Sequence, residues 1–276
     1  MTDRLAALLE QFPVSARVFQ TGVLCGVTDL DGSGSAGQLH LIRRGRVDVQ
    51  HGEGRAPIAI REPSLLLYPR PLAHRFVTDP DSGADFTCAA LQFSGGAGNP
   101  MARALPAVSC LPLAALHGGE TVLTLLFEEA SQQHCGRQAV LDRLFEVLLI
   151  QVLRQLMEQG RTEVGMMAGL AHPRLRLALV AMHESPARSW TLDTLAARAG
   201  MSRSAFARAF HEAVGSTPGA YLQQWRLRLA QQALLRGRPL KQVADEVGYG
   251  SEAALSRVFK THAGLSPRQW RQQQQG

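Results

Sequence analysis

Long apolar runs are missing from this 276-residue sequence. No stretch approaches the ~18–20 consecutive apolar residues that a membrane-crossing helix needs, so a membrane partner is not expected. The opening segment, MTDRLAALLEQF, carries Asp3 and no extended apolar centre. A secretory leader is therefore not expected there; a short amphipathic helix is. Cysteine is scarce. Cys25, Cys88, Cys110 and Cys135 are widely spaced, which in a reducing compartment reads as free thiols or ligands rather than a disulfide framework. Lysine is nearly absent: Lys241 and Lys260 stand alone, and arginine supplies the remaining basic charge. A cytoplasmic location follows as the expectation. What is abundant is apolar residue, at 45%, enough for a true core and against wholesale disorder. The length suits one large or two ordinary domains.

Charge is unevenly divided. Residues 1–171 carry a net −3, whereas residues 172–276 carry +9. A basic half joined to a mildly acidic one suggests a nucleic-acid-binding domain attached to something else.

Between residues 17 and 95 short apolar runs (VLCGVTDL, LHLI, RVDVQ, PIAI, SLLLY, FTCAALQF) are broken by Gly, Pro and Asp. Runs of this length and spacing predict strands of a sandwich or barrel. GSGSAG (32–37) and DPDSGAD (79–85) predict loops, and 96–119 reads as irregular and Pro-rich. From Gln138 the period changes. Leu141, Leu144, Phe145, Leu148, Leu149, Val152 and Leu156 recur at helical spacing. So wide an apolar arc must pack on something: its own domain, or a second copy of the chain in a homodimer. GRTEVG (160–165) reads as a linker, and everything from about Ala171 reads as helical.

The C-terminal region carries one pattern twice. At an offset of 48, Leu192, Leu195, Ala196, Ala199 and Gly200 fall on Leu240, Val243, Ala244, Val247 and Gly248. At 49, Phe206, Ala209, Phe210, Gly215 and Pro218 fall on Leu255, Val258, Phe259, Gly264 and Pro267. Each copy predicts a short helix, a glycine suited to a left-handed cap, and a second helix beginning at Ser202 or Ser251, both good N-caps. That is a helix-turn-helix unit. A solenoid is the competing reading, but a solenoid needs three or more repeats and only two are present. With the apolar stripe inward, the outward face of the first second-helix carries Ser204, Ala207, Arg208 and His211. The other copy presents Ala253, Ser256, Arg257 and Lys260, again 49 residues on. Both faces hold Arg at the third place. An arginine entering the major groove can grip guanine O6 and N7 together, worth ~1–3 kcal/mol of discrimination. Arg203 and Glu252 sit on the flanks, suited to a phosphate and to a cytosine amine or the helix start respectively. GAYLQQWRLRLAQQALLRG predicts a long helix between the units. Held about one helical turn (~34 Å) apart, two such helices can enter successive major grooves on one face of a duplex.

These residues resemble the AraC/XylS family of bacterial transcription regulators, over about Leu170–Arg271. The likeness rests on LAARAGMSRSAFARAFHEAVGSTPGAYLQQWRLRLAQQAL and on VADEVGYGSEAALSRVFKTHAGLSPRQWR. LAHPRLRLALVAMHESPARSW is similar to the family's leading helix, with His172 where an acid is common. The resemblance implies a seven-helix domain with two helix-turn-helix units and places Ser204, Arg208, Ala253, Ser256 and Arg257 where the family reads bases. LHLIRRGRVDV and YPRPLAHRF resemble the cupin-type sensor domain found in part of this family. Cupins often hold a metal through His-x-His and a later His; here Leu39 and Leu41 flank a single His40, and Pro71 stands where a glycine precedes His74.

The fold expected is α+β and multidomain. A cupin-like β-barrel sensor would occupy 1–137, a long helix and linker 138–169, and an all-α DNA-binding domain with two helix-turn-helix units 170–276. Its partner would be double-stranded promoter DNA, with RNA polymerase as a further partner of an activator. Three kinds of signal stay open. Cys25, His40, His74 and Cys88 form a zinc set if all four face inward. Cys25, Cys88, Cys110 and Cys135 are candidates for oxidation to a sulfenic acid or a disulfide, Cys25 and Cys88 first among them. A small organic effector is the third. His51, His117 and His134 read as surface residues. A cupin metalloenzyme fused to a DNA-binding domain, and an architectural protein without sequence preference, are the alternative functions.

Overall fold

The computed structural model describes residues 3–52, 54–96, 99–159 and 164–275. It divides into two compact units, one of residues 12–163 and one of residues 1–11 with 164–276. The expected boundary at 137/138 is therefore displaced: the long helix belongs with the strands, and the first helix, α1 (Ala6–Gln11), belongs with the C-terminal unit. Four of the six residues expected as a linker, 160–163, lie outside the described residues.

In the 12–163 unit the described strands are β1 (Val14–Leu24), β2 (Val27–Leu30), β3 (Gly37–Gly45), β4 (Val47–His51), β5 (Ile58–Ile60), β6 (Ser64–Tyr68), β7 (His74–Thr78), β8 (Ala84–Phe93) and β9 (Ser109–Pro112). They form two antiparallel sheets, ordered β1-β8-β3-β6-β9 and β2-β7-β4-β5. The cupin-like barrel takes the form of these two facing sheets, which share one core. Ile42, Leu66, Phe86 and Cys88 meet Val47, Val49, Ile60 and Phe76 there. The period of two explains much of the choice: where one face is exposed, alternate residues point inward and most of these are apolar, while β6 is buried on both faces. The chain passes from the first sheet to the second at Gly45, whose φ is +100°. A Cβ there would lie 2.6 Å from the Cα of Ala84, so only glycine turns this corner. The Pro-rich stretch contributes more than expected, namely α2 (Pro100–Ala104) and the edge strand β9.

α3 (Glu120–Ser131) and α4 (Arg137–Glu158) follow. α4 lies along the free edge of β1. Asp142 accepts from Val18 N at 2.7 Å, Glu146 accepts from Ala16 N at 3.2 Å, and Gln138 donates to Val18 O at 2.9 Å. An exposed strand edge is a template for unwanted pairing, and here helix side chains occupy it. Leu141, Phe145, Leu148, Leu149, Val152 and Leu156 are all buried in this chain. The wide apolar arc is consumed internally, so it is not free to pair with a second copy.

The C-terminal unit is helical: α5 (Met166–Ala171), α6 (Leu175–Glu184), α7 (Leu192–Arg198), α8 (Arg203–Val214), α9 (Pro218–Leu235), α10 (Leu240–Val247), α11 (Glu252–Ala263) and α12 (Pro267–Gln275). α9, with 18 residues, spans about 27 Å and packs on α8, α10 and α12. Its Trp225 is fully buried.

Candidate nucleic-acid interface and histidine cluster

α8 and α11 are built alike. Ser202 Oγ accepts from Ala205 N at 3.4 Å, and Ser251 Oγ from Ala254 N at 3.1 Å, satisfying donors that a helix start leaves free. Each helix ends on a left-handed glycine, Gly215 at φ +77° and Gly264 at φ +70°. Phe206 and Phe210, then Leu255 and Phe259, are wholly buried and fix which face turns outward. That face carries Ser204, Arg208 and His211, all exposed, beside half-buried Ala207. On α11 it carries exposed Ala253, Arg257 and Lys260 beside half-buried Ser256. Arg203 and Glu252 are exposed on the flanks. Arg203 lies 3.6 Å from Asp193, but both side chains are 67% exposed, so the pair holds little energy and leaves the guanidinium available. Small neighbours, Ser204 and Ala207 or Ala253 and Ser256, leave space around each arginine. The first of each helix pair, α7 or α10, reaches its partner through Gly200 or Gly248, at φ +62° and +82°.

The sensor-side residues divide. His40 and His74 meet, with their Nε2 atoms 3.1 Å apart. His74 Nδ1 is 2.8 Å from Leu72 O and so carries the proton, which leaves its Nε2 as the acceptor for His40. Burial depresses both imidazoles; on His40 the charge of His74 adds to that, and on His74 the charge of His51 does, against a raising contact from Leu72 O. Both rings are neutral near pH 7. Cys88 stands directly opposite His40 in the β3–β8 register, buried in the core.

Cys25 does not join them. It follows β1 at the end where Leu24 pairs with Ala84, whereas Cys88 pairs with Gln20. Four to five residues of strand separate the two thiols, about 15 Å at ~3.4 Å per residue. Cys25 is exposed, its sulfur 4.0 Å from Asp81 O. The expected zinc set of Cys25, His40, His74 and Cys88 is thus not assembled, and the described residues gather no group of three or more His, Cys, Asp or Glu fit for a metal. The same separation rules out a Cys25–Cys88 disulfide in this conformation. Burial pushes the Cys88 thiol up, and burial with Glu62 nearby does the same at Cys110, so both remain protonated and poorly nucleophilic.

His51, expected at the surface, is half-buried instead. Its Nε2 is 3.0 Å from Tyr68 Oη, and it pairs with His74 across β4 and β7. Tyr68 stacks on His74 with ring centres 4.1 Å apart. The alternation Val47, Val49, His51 is the signal that places this histidine on the inward face. His117 and His134 are exposed as expected. A cavity of about 350 Å³ opens beside the cluster, lined by Leu30, Asp31, His51, His74 and the Asp29–Arg75 ion pair. Nδ1 of His40 and of His51 have no hydrogen-bond partner among the described residues.

Comparison with known proteins finds the same two regions, except that the first match includes α1. A family model described as Cupin matches residues 3–158, and one described as Helix-turn-helix domain matches 195–273. A putative AraC-like transcription regulator of Streptomyces antibioticus is 40% identical over 171 residues, covering 60% of this chain and 56% of its own. The HTH-type transcriptional regulator AlkR of Acinetobacter baylyi is 39% identical over 181 residues, 64% of this chain and 59% of its own. The matched stretch thus spans little more than half the length of these two relatives. A putative AraC-like transcription regulator of Streptomyces lividans is 32% identical over 262 residues, 85% of this chain and 86% of its own. With the doubled helix-turn-helix geometry and the two-sheet N-terminal unit, this match places the chain in the AraC-like family of transcription regulators that carry a cupin domain.

Proposed function

We propose that this chain is a sequence-specific DNA-binding transcriptional regulator that inserts α8 and α11 into successive major grooves of promoter DNA. The observation that carries the reading is the matched pair of outward faces. Each presents one exposed arginine, Arg208 or Arg257, between small residues, at equivalent places on helices with the same caps and the same buried stripe. Two faces separated by a stiff α9 suit a bipartite site and favour DNA that bends toward the protein, at an elastic cost of a few kcal/mol. The N-terminal unit senses a small effector that enters beside His51, Tyr68 and His74. There, His51 and His74 line the cavity together with Asp31 and the Asp29–Arg75 ion pair, so the opening presents charged as well as neutral polar groups. Two copies associate through the outward face of α4, where Val140 and Val147 are 39% and 42% exposed, one face of the helix at i and i+7. RNA polymerase is the further partner where the output is activation. The protein works in the cytoplasm; among the described residues no helix is long and apolar enough to cross a membrane.

The test is selection of duplexes from a random-sequence pool by the full chain, followed by binding to selected and scrambled duplexes across a salt series. A common sequence bound about 10³-fold or more above the scrambled one is expected. Affinity that varies with salt but not with sequence would overturn the reading in favour of an architectural role.

A further inference from the structure

Arg226, midway along α9, is half-buried, and its guanidinium serves two separate loops. Nε donates to Pro186 O at 2.7 Å and Nη2 to Arg188 O at 2.9 Å, both in the turn that leads from α6 into α7. Nη1 donates to Gly248 O at 3.4 Å, in the turn between α10 and α11. The first of these loops is itself firm. Arg188 N and Trp190 Nε1 both donate to Ser185 O, at 3.2 and 2.9 Å, and the Arg188 guanidinium lies 4.5 Å from the Trp190 ring centre. The second loop is pressed directly against it. Gly248 approaches so closely that a Cβ there would sit 2.6 Å from the Ala187 Cα. Tyr249 adds its ring 5.9 Å from the Arg226 guanidinium carbon. The turn of the second helix-turn-helix unit therefore rests on the loop that opens the first, and one side chain bridges both. A guanidinium, with five donors held in a plane, can serve three carbonyls at once; an ammonium is a single compact donor group and cannot span them.

We propose that Arg226 is a positioning residue that sets the separation and rotation of α8 relative to α11, and so dictates the half-site spacing this protein accepts, without touching DNA itself. This rests on the DNA-binding reading above. Each unit keeps its own buried stripe when the bridge is cut, so the expected consequence is loosened geometry between the units rather than loss of either one.

Two measurements test it on the full chain. The first uses the duplex selected by the wild-type protein and derivatives with one base pair inserted or removed between half-sites. Wild type should lose at least ~10-fold on either derivative, since one base pair shifts the second site by ~3.4 Å and about 35°. Arg226→Ala should bind the parent duplex more weakly, yet lose less than ~3-fold on the derivatives. A plain loss of fold stability would lower binding to all three equally. The second measurement is hydrogen exchange without DNA. Amides in 185–190 and 245–250 should exchange at least ~10-fold faster in the variant, while α8 and α11 keep wild-type protection. If Arg226→Ala does not fold, Arg226→Lys is read in both assays with the same expectations. A folded variant with the wild-type spacing penalty and wild-type exchange overturns the proposal. If wild type selects no common duplex, the DNA-binding reading fails, and exchange alone decides whether Arg226 ties the two loops.

Discussion

Asp142 Oδ1 lies 2.7 Å from the amide nitrogen of Val18, so a carboxylate on α4 caps a strand edge that would otherwise face solvent. The same carboxylate accepts from Gln138 Nε2 at 2.8 Å, which in turn donates to Val18 O. Removing it leaves a half-buried donor without its partner, a loss of about 1–3 kcal/mol. Asp142→Ala should lower the stability of the N-terminal unit by that amount and speed exchange at Val18 N. Tryptophan fluorescence will not report it, because Trp190, Trp225 and Trp270 all lie in the C-terminal unit. Far-UV circular dichroism in a urea series is the suitable probe.

The two faces of α4 make opposite predictions. Leu148 is fully buried. Leu148→Ala should cost about 2–5 kcal/mol, and Leu148→Asp should prevent folding of this unit rather than yield folded monomers. Val147, next in sequence but on the exposed side, is the position that discriminates. Val147→Asp should leave the circular dichroism unchanged and convert dimers to monomers in sedimentation velocity. Persistence of the dimer would remove this face from the interface.

How much of this was legible beforehand depends on whether the relevant physics was local. The doubled unit was readable because its signals are local ones: Ser202 and Ser251 as caps, Gly200 and Gly248 as turns, and the stripe Phe206–Phe210 repeated as Leu255–Phe259. Most strands were readable for the same reason, although VLCGVTDL, read as one run, is split at Cys25–Gly26 into the end of β1 and β2. Register was not. Sequence placed Cys25 and Cys88 on strands flanking those of His40 and His74, but only pairing shows that one falls beside Ala84 and the other opposite Gln20. His51 was mistaken for a surface residue because the Gly that follows suggested a loop, although Val47 and Val49 already mark its face as inward. β9 escaped because Pro106 precedes it and Pro112 is its last residue, and prolines are tolerated on an edge strand. Arg226 carried no sequence signal at all, since its partners are main-chain carbonyls 22 to 40 residues away.

His183 gives the C-terminal unit a defined response to acid. It is fully enclosed between Tyr221, 2.6 Å away, and Trp225, and burial drives its pKa down to about 3. The unfolded chain takes up a proton near pH 6.5, whereas the folded one does not until far below that. Its contribution to stability is therefore fully present above pH 6.5 and is lost as pH falls from there toward 3, at up to about 1.4 kcal/mol per pH unit. Urea unfolding followed by tryptophan fluorescence should show the loss between pH 6.5 and 5. The slope should be shallower by about that amount in His183→Gln, even though this variant is less stable at pH 7.5.

Arg208 and Arg257 occupy equivalent places, and their variants should behave alike. Each guanidinium is exposed on the outward face of its helix, beside small side chains (Ser204 and Ala207, or Ala253 and Ser256). If each grips one guanine, Arg208→Ala and Arg257→Ala should each cost about 1–3 kcal/mol on the selected duplex and relax the preference at a single base pair. The two affected base pairs should lie in different half-sites, about one helical turn apart. Arg203→Ala serves as the contrast. From the flank of α8 it should weaken all sequences by a similar factor and reduce the salt slope by about 1, as expected for a phosphate contact. Binding of each variant to a panel of duplexes, each altered at one base pair, separates the two behaviours. A uniform loss across that panel for Arg257→Ala would reassign it to the DNA backbone, and the matched faces would then position the protein without reading sequence.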